Sequence, residues 1–238
     1  MPPGVYDQGG AARQSGGRGS EVGGVNPGVV IYGSGGHGRV ILDILRVRGE
    51  HRIIGWLDDH ASGTRLGLPI LGTGSNLRDV VPAGTEVILA IGDNTCRERL
   101  AGNVVRSGYR LGTAVHPSVQ LGESVQIGPG TVVMAHAVLN PGTRTGENVI
   151  VNTGATVDHD CVLQDLVHLG PGVHLAGSVQ IGRSSQIGLG AGVIQNIRIG
   201  RDVIIGAGAI VLQDIPDGAT AVGVPARILR TRTPRPAP

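Results

Sequence analysis

The sequence predicts a small α/β domain followed by a parallel β-helix. Three observations carry that expectation. A six-residue repeat runs without insertion from Val115 to Pro216. Ahead of it, a strand, a glycine turn and a helix follow one another, and the next strand ends in two acidic residues. The composition holds 42 glycines and no phenylalanine among 238 residues, which suits narrow coils that turn on glycine and admit only small aliphatic side chains.

Residues 1–27 are rich in Gly, Ser, Ala and Arg and nearly free of large apolar residues. Such a stretch buries too little surface to offset its ordering entropy and is expected to be disordered. The α/β domain is expected over 28–112. It starts with the apolar strand Val29-Val30-Ile31-Tyr32, then Gly33-Ser34-Gly35-Gly36-His37-Gly38, then Val40, Ile41, Ile44 and Leu45 at helical spacing, stopped by Gly49. A second strand, Arg52 to Leu57, ends in Asp58-Asp59, and a third, Val87 to Ile91, runs into Gly92-Asp93-Asn94 and another helix. This is Rossmann-like βαβ logic, in which glycines let backbone N–H groups approach a diphosphate at a helix N-terminus and a strand-end carboxylate takes ribose or base hydroxyls. A nicotinamide dinucleotide is the first ligand such a turn suggests. About 85 residues make only half a dinucleotide fold, so a mononucleotide carrying a sugar fits better. His37 is either a phosphate contact or a surface loop histidine.

The β-helix is expected over 113–230. Aliphatic residues recur at every sixth position, among them Leu121, Ile127, Val133, Leu139, Val151, Val157, Leu163, Leu169, Ile181, Ile187 and Ile205, and only Thr145 breaks the series. Neither helices nor hairpins show a six-residue beat over such a length; hexapeptide repeats are the β-helix signature. Three hexads close one triangular coil, so roughly seventeen hexads stack into nearly six coils, a prism roughly 25–30 Å tall at about 4.8 Å per strand. The Pro/Arg tail, 231–238, is expected to be loose.

Composition also excludes partners. A formal charge of +2 and few aromatic residues argue against nucleic acid. The two cysteines, Cys96 and Cys161, lie far apart and form no disulfide framework or metal motif; Cys161 falls on an inward position and reads as buried filler. No apolar run reaches the length of a membrane span and no secretory signal opens the chain, which gives a cytoplasmic expectation. A β-helix zinc site needs three converging imidazoles, and no close pair of histidines has the spacing such sites use, so no metal is expected.

Polar residues that interrupt a bland repeat draw notice, and Asn152 to Cys161 is the densest such stretch. His159 takes an outward position between Asp158 and Asp160. A carboxylate beside a histidine fixes its tautomer and raises its basicity, which suits a general base near pH 7; a solvated prism corner is the plain alternative. His159 and His168 are half a coil apart, so they project from different sides of one prism. If both serve one site, they come from adjacent chains.

With these residues in hand, the chain resembles the bacterial nucleotide-sugar N-acetyltransferases of the left-handed β-helix class, of the bacillosamine and perosamine type, with sialic-acid O-acetyltransferases as relatives. The resemblance runs from about Val29 to Arg227. Its specific parts are Ile31 to Gly38, Leu57-Asp58-Asp59, Ala90 to Asn94, Asn152 to Cys161, Val167-His168 and Val222-Gly223-Val224-Pro225-Ala226. It implies a left-handed prism whose N-terminal domain binds the nucleotide sugar, with Gly35, Gly36 and His37 at the phosphates, Asp58 and Asp59 near the base, and Gly92 lining the site. It implies acetyl-CoA lying between two subunits of a homotrimer, touched by His168, Gly177, Leu189 and Ala207. His159 matches the family's base and Asp160 the acid that tunes it. The implied reaction is N-acetylation of a nucleotide-linked 4-amino-4,6-dideoxy sugar. O-acetylation of a sugar hydroxyl and a non-catalytic nucleotide-sugar-binding scaffold are the alternatives.

Overall fold

The computed structural model describes residues 28–233. The expectations for 1–27 and for 234–238 lie outside the described residues. The N-terminal part contains β1 (Gly28–Tyr32), α1 (Gly36–Arg48), β2 (Arg52–Leu57), β3 (Thr64–Arg65), β4 (Leu68–Gly72), α2 (Leu77–Val80), β5 (Glu86–Leu89), α3 (Asn94–Arg106) and β6 (Arg110–Leu111). Its sheet runs β3-β4-β2-β1-β5-β6, parallel except where β3 meets β4. The central strand β1 is buried along its whole length, as its unbroken apolar run requires. Helix α1 ends at Gly49, whose left-handed φ of 67° lets its N–H reach the Leu45 carbonyl. The short β3–β4 hairpin and α2 have no periodic signal in the sequence and were not expected.

Behind this domain, residues eighteen apart pair in parallel, as Thr156–Val157 does with His174–Leu175. Three sheets result. Face 1 stacks the strands from Ala114–Val115 to Ala219–Val222, face 2 those from Gln120–Leu121 to Ile210–Val211, and face 3 those from Arg144–Thr145 to Arg198–Ile199. The second residue of each strand points inward, so Leu139, Val157, Leu163, Leu169 and Ile187 fill a continuous core. Thr145, the break in the series, is buried with its hydroxyl accepting the Gly128 N–H at 3.1 Å, so the polar substitution is satisfied. Cys161 is buried, donates to the Ala176 carbonyl at 3.2 Å, and burial pushes its thiol up to about 11.

The small residues of each hexad answer two separate demands. One past the inward aliphatic, glycine is needed for close approach: a Cβ at Gly128 would lie 2.2 Å from the Gly146 carbonyl oxygen of the next coil. Three past the aliphatic, the corner residue has a positive φ, from Ser124 at 60° to Asp202 at 54°, and the series is mostly Gly, Ser, Asn and Asp. The second demand is the reason Asp160 follows His159.

The last prism strand, Ala219–Val222, is joined by an antiparallel edge strand, Arg227–Thr231. The edge strand ends at Thr231, one residue past the expected limit of the β-helix at 230. The α/β domain sits on face 1, where Ala114, Val132 and Met134 share a core with Val29, Ile31, Ile41 and Trp56.

Candidate functional site

The chemistry-bearing residues fall into two groups, on different sides of the prism. The first lies on the α/β domain, at the ends of β1, β2 and β5. Gly35 and Gly36 are exposed, and a Cβ on either would meet nothing within 4 Å. Gly35 caps α1 without a side-chain bond, so the first N–H groups of the helix face this open mouth. Here Gly33 and Gly38 have structural roles: a Cβ on Gly38 would lie 2.0 Å from the Gly33 carbonyl oxygen.

The acidic pair is tied by hydrogen bonds to the glycine loop and the neighbouring strand ends. Asp58 Oδ2 accepts the Ser34 N–H at 2.8 Å and the Ser34 hydroxyl at 2.6 Å, and its Oδ1 accepts the His60 N–H at 2.9 Å. Its carboxyl sits below the usual range because these three bonds outweigh its partial burial. Asp59 accepts the Tyr32 hydroxyl at 2.8 Å and the Gly74 N–H at 2.9 Å. The two acids expected near the base brace the loop and the strand ends in this structure. The physical reason is that a buried Ser34 and a buried Tyr32 need acceptors, and these carboxylates are within reach.

His37 opens α1, is largely buried, and its Nε2 has no hydrogen-bond partner. Burial, with the charges of His168 and Arg97, lowers its pKa to about 4, so it is neutral near pH 7. His168 projects from face 1 beneath Gly92 and donates from Nδ1 to the Gly92 carbonyl at 3.2 Å. Burial and Arg97 lower its pKa to about 4 as well. His168 therefore belongs with the α/β domain's loops and is a poor proton acceptor at neutral pH.

Arg97, not among the residues expected at the site, ties these parts together. It is 1% exposed, and its donors all end on oxygen: Nε on Asn148 O, Nη1 on Ile91 O and Gly92 O, and Nη2 on Asn94 Oδ1 and Leu166 O, at 2.8–3.0 Å. It thus fastens the loop after β5 to two stacked corner carbonyls of the prism. An arginine on a helix is ordinarily solvated, so no sequence pattern marks it. Asp93, beside it, caps α3 by accepting the Cys96 N–H at 2.7 Å.

The second group lies on the corner between faces 2 and 3. His159 is 58% exposed there, and its Nδ1 donates to Asp160 Oδ2 at 2.9 Å. That bond leaves Nε2 as the lone-pair nitrogen. The Asp160 bond, assisted by the charge of Asp158, raises the imidazole above its ordinary pKa. Asp158 turns the other way: it accepts the His159 N–H at 2.8 Å and the Asn140 amide at 2.8 Å, which fixes the corner backbone. Gly177 occupies the same corner one coil further on. A Cβ there would lie 2.5 Å from His159 Nε2, so only glycine admits the ring at this height. The Gly177 N–H makes no hydrogen bond among the described residues.

Leu189 and Ala207 stack on the corner between faces 1 and 2, and both are exposed. The four residues expected to touch acetyl-CoA are thus divided: Gly177 on one corner, Leu189 and Ala207 on another, His168 on the face beyond. Within one chain, face 2 separates His159 from the glycine loop. Among the described residues, no group of three His, Cys, Asp or Glu is placed to hold a metal ion, and no helix is long and apolar enough to cross a membrane.

Known proteins share this sequence and fold. Residues 28–104 match the PglD N-terminal domain family. The chain is 40% identical to a perosamine N-acetyltransferase from Caulobacter crescentus solved with CoA and GDP-perosamine, with a TM-score of 0.81 over 84% of this chain and 96% of that one. It is 41% identical to the acetyltransferase domain of PglB from Neisseria gonorrhoeae FA1090 solved with acetyl coenzyme A, with a TM-score of 0.82 over 86% and 100% of the two chains. A GDP-perosamine N-acetyltransferase of Escherichia coli O157:H7 is 29% identical over 172 residues, 69% of this chain and 77% of that protein. Fold and site define a left-handed β-helix acyltransferase carrying a small α/β domain. More narrowly, the chain belongs to the family of nucleotide-sugar N-acetyltransferases that includes the Caulobacter and Neisseria enzymes.

Proposed function

We propose that this protein transfers the acetyl group of acetyl-CoA to the amine of a nucleotide-linked 4-amino-4,6-dideoxy sugar, with His159 as general base. The observation that carries the reading is the corner itself: a histidine with Nδ1 bonded to a carboxylate at 2.9 Å and Nε2 free above a glycine. The acceptor amine is mostly protonated near pH 7 and attacks only after losing a proton. That first proton goes to solvent; as the carbon–nitrogen bond forms, His159 Nε2 accepts a second proton from the attacking nitrogen, and Asp160 stabilises the imidazolium that results. As nitrogen bonds to the thioester carbon, charge collects on the carbonyl oxygen. The unpaired N–H of Gly177, beside the same ring, donates to it. Collapse breaks the carbon–sulfur bond, and the imidazolium returns a proton to the departing thiolate.

The active enzyme is a homotrimer in this reading. The glycine loop lies over face 1 and His159 on the corner between faces 2 and 3, so one chain cannot bring them to one substrate. Three copies with face 2 turned to a common axis set each His159 corner against the next chain's Leu189–Ala207 corner. Acetyl-CoA fits that crevice: one wall offers His159 and Gly177, the other small or aliphatic side chains. The nucleotide sugar then reaches in from the second chain's α/β domain, with its diphosphate at Gly35, Gly36 and His37.

The test is a panel of UDP- and GDP-linked amino sugars incubated with acetyl-CoA, following free thiol and the acetylated product. Transfer to an amino sugar is expected. Turnover only with acceptors that carry hydroxyls and no amine, or none with any acceptor, overturns the reading. Sedimentation at micromolar concentration should give a trimer, and a fully active monomer refutes the shared site.

A further inference from the structure

The glycine loop, taken alone, is poorly equipped for a diphosphate. Two negative charges must be met there, yet His37 is neutral near pH 7 and the Asp58 carboxylate lies directly beneath, bonded to Ser34. The helix N-terminus supplies only partial charge. A cation has to come from elsewhere in the fold.

Strand β3 brings one. The β3–β4 hairpin is tied to the rest of the domain at two points and closed between its own arms at a third. The indole N–H of Trp56, a fully buried residue, donates to the Arg65 carbonyl at 3.0 Å. Arg46 donates to the Leu66 carbonyl at 2.7 Å, and Ile70 N–H to the Gly63 carbonyl at 2.8 Å. From this fixed backbone the Arg65 side chain reaches the loop, where Nη1 donates to Ser34 Oγ at 2.9 Å. The same hydroxyl donates to Asp58 at 2.6 Å, so a chain of hydrogen bonds runs from guanidinium to carboxylate through the loop. No carboxylate lies within ion-pair distance of Arg65 among the described residues, and the residue is exposed. Its bond to Ser34 sets the guanidinium beside the residue that leads into Gly35 and Gly36, and its other N–H donors make no hydrogen bond among the described residues. A planar guanidinium is well suited to bridging phosphate oxygens in two-point fashion.

We propose that Arg65 is a substrate-binding residue, the cation that clamps the diphosphate of the nucleotide sugar against the glycine loop; the proposal rests on the reading of that loop given above. It also explains why a two-residue strand with no packing role at its tip is held so firmly: its side chain has to arrive at a fixed place. Arg65 keeps its bond to Ser34 while its other nitrogen meets the phosphates, so the loop is braced in the state that binds.

The experiment uses the whole protein and two readouts. Calorimetry measures binding of the plain nucleoside diphosphate, UDP or GDP, and steady-state kinetics measure the nucleotide amino sugar and acetyl-CoA separately. Arg65→Ala is expected to weaken nucleoside diphosphate binding and raise the KM for the nucleotide sugar about 10–100-fold, the range for a lost charged hydrogen bond. The KM for acetyl-CoA should stay within about twofold. Arg65→Lys should recover part of the loss. Arg65→Gln retains a donor toward Ser34 without the charge and should not. Wild-type binding should weaken more steeply with salt than that of Arg65→Ala. If Arg65→Gln restores wild-type binding, the residue merely shapes the loop and the proposal is wrong. It is equally wrong if Arg65→Ala binds within about twofold of wild type, or if Arg39→Ala, one turn inside α1, has the same effect, since that marks a diffuse field. A wild-type protein that binds neither UDP nor GDP overturns the reading of the loop itself, a result distinct from any of these.

Discussion

Two histidine-bearing regions of this molecule hold the same side chain in opposite states. On the corner between faces 2 and 3, His159 is exposed, bonded to a carboxylate, and raised in pKa. At the junction of the domains, His37 and His168 are buried near the Arg97 guanidinium and lowered to about 4. One environment favours the protonated imidazole and the other keeps imidazoles neutral near pH 7. Residue type therefore says little about role here; burial and the sign of the neighbouring charge decide it.

Replacing the histidines should separate the two regions most sharply. His159→Ala is expected to lower kcat by about 10²–10⁴-fold with the oligomer intact, the usual contribution of a general base. His168→Ala should spare the proton transfer, so its kcat should fall far less. A His159→Ala enzyme within about threefold of wild type in kcat would dissolve the contrast.

Stability should respond at the junction and scarcely at the corner. Arg97→Met leaves four backbone carbonyls without their donor and should cost about 3–5 kcal/mol, the scale for breaking a buried charged network. Urea unfolding measures it, and a loss of under about 1 kcal/mol means that these bonds matter little. Gly177→Ala should cost little stability but displace the His159 ring, since the new methyl falls on Nε2. Misplacing a reacting group by about 1 Å can cost on the order of 10²-fold in rate. If Gly177→Ala instead raised only the KM for acetyl-CoA, the glycine would serve the acyl-donor groove rather than the base.

Two pH experiments probe the smaller differences. Asp160→Ala removes the bond that raises the His159 pKa, so the acid limb of the kcat profile should move to lower pH, with a rate loss smaller than that of His159→Ala. An unmoved limb would show that Asp160 does not tune the base. For the junction the sign is the reverse. His37 and His168 take up protons in the unfolded chain near 6.5 but in the folded one only near 4. Stability contributed by their neutral state is present above about pH 6.5 and is lost as pH falls toward 4. His168→Gln should make that loss shallower, as read by chemical unfolding at pH 7 and pH 5; an identical slope would mean that His168 titrates normally.

Much of the site was legible because the repeat is strict. A six-residue period fixes which side chains point inward, so a histidine between two aspartates at an outward position stood out against its background. The glycines were legible as small residues but not as two kinds. That one glycine avoids the next coil's backbone while another supplies a left-handed corner is visible only when the coils are stacked. In the α/β domain the strand–turn–helix order gave the loop, while the β3–β4 hairpin was too short to leave a period.

The sequence by itself determined the two-domain architecture, the coil length and the outward placement of His159 and Asp160, because these follow from local spacing and steric limits that repeat along the chain. Tertiary structure decided which charges meet. It joined Asp58 to Ser34 and Asp59 to Tyr32, buried Arg97 between the domains, carried Arg65 to the loop, and set His168 under Gly92. The contacts between domains join residues dozens of positions apart, and electrostatic energies depend on separation in space and on exclusion of water. Neither quantity is written in the spacing of residues along a chain.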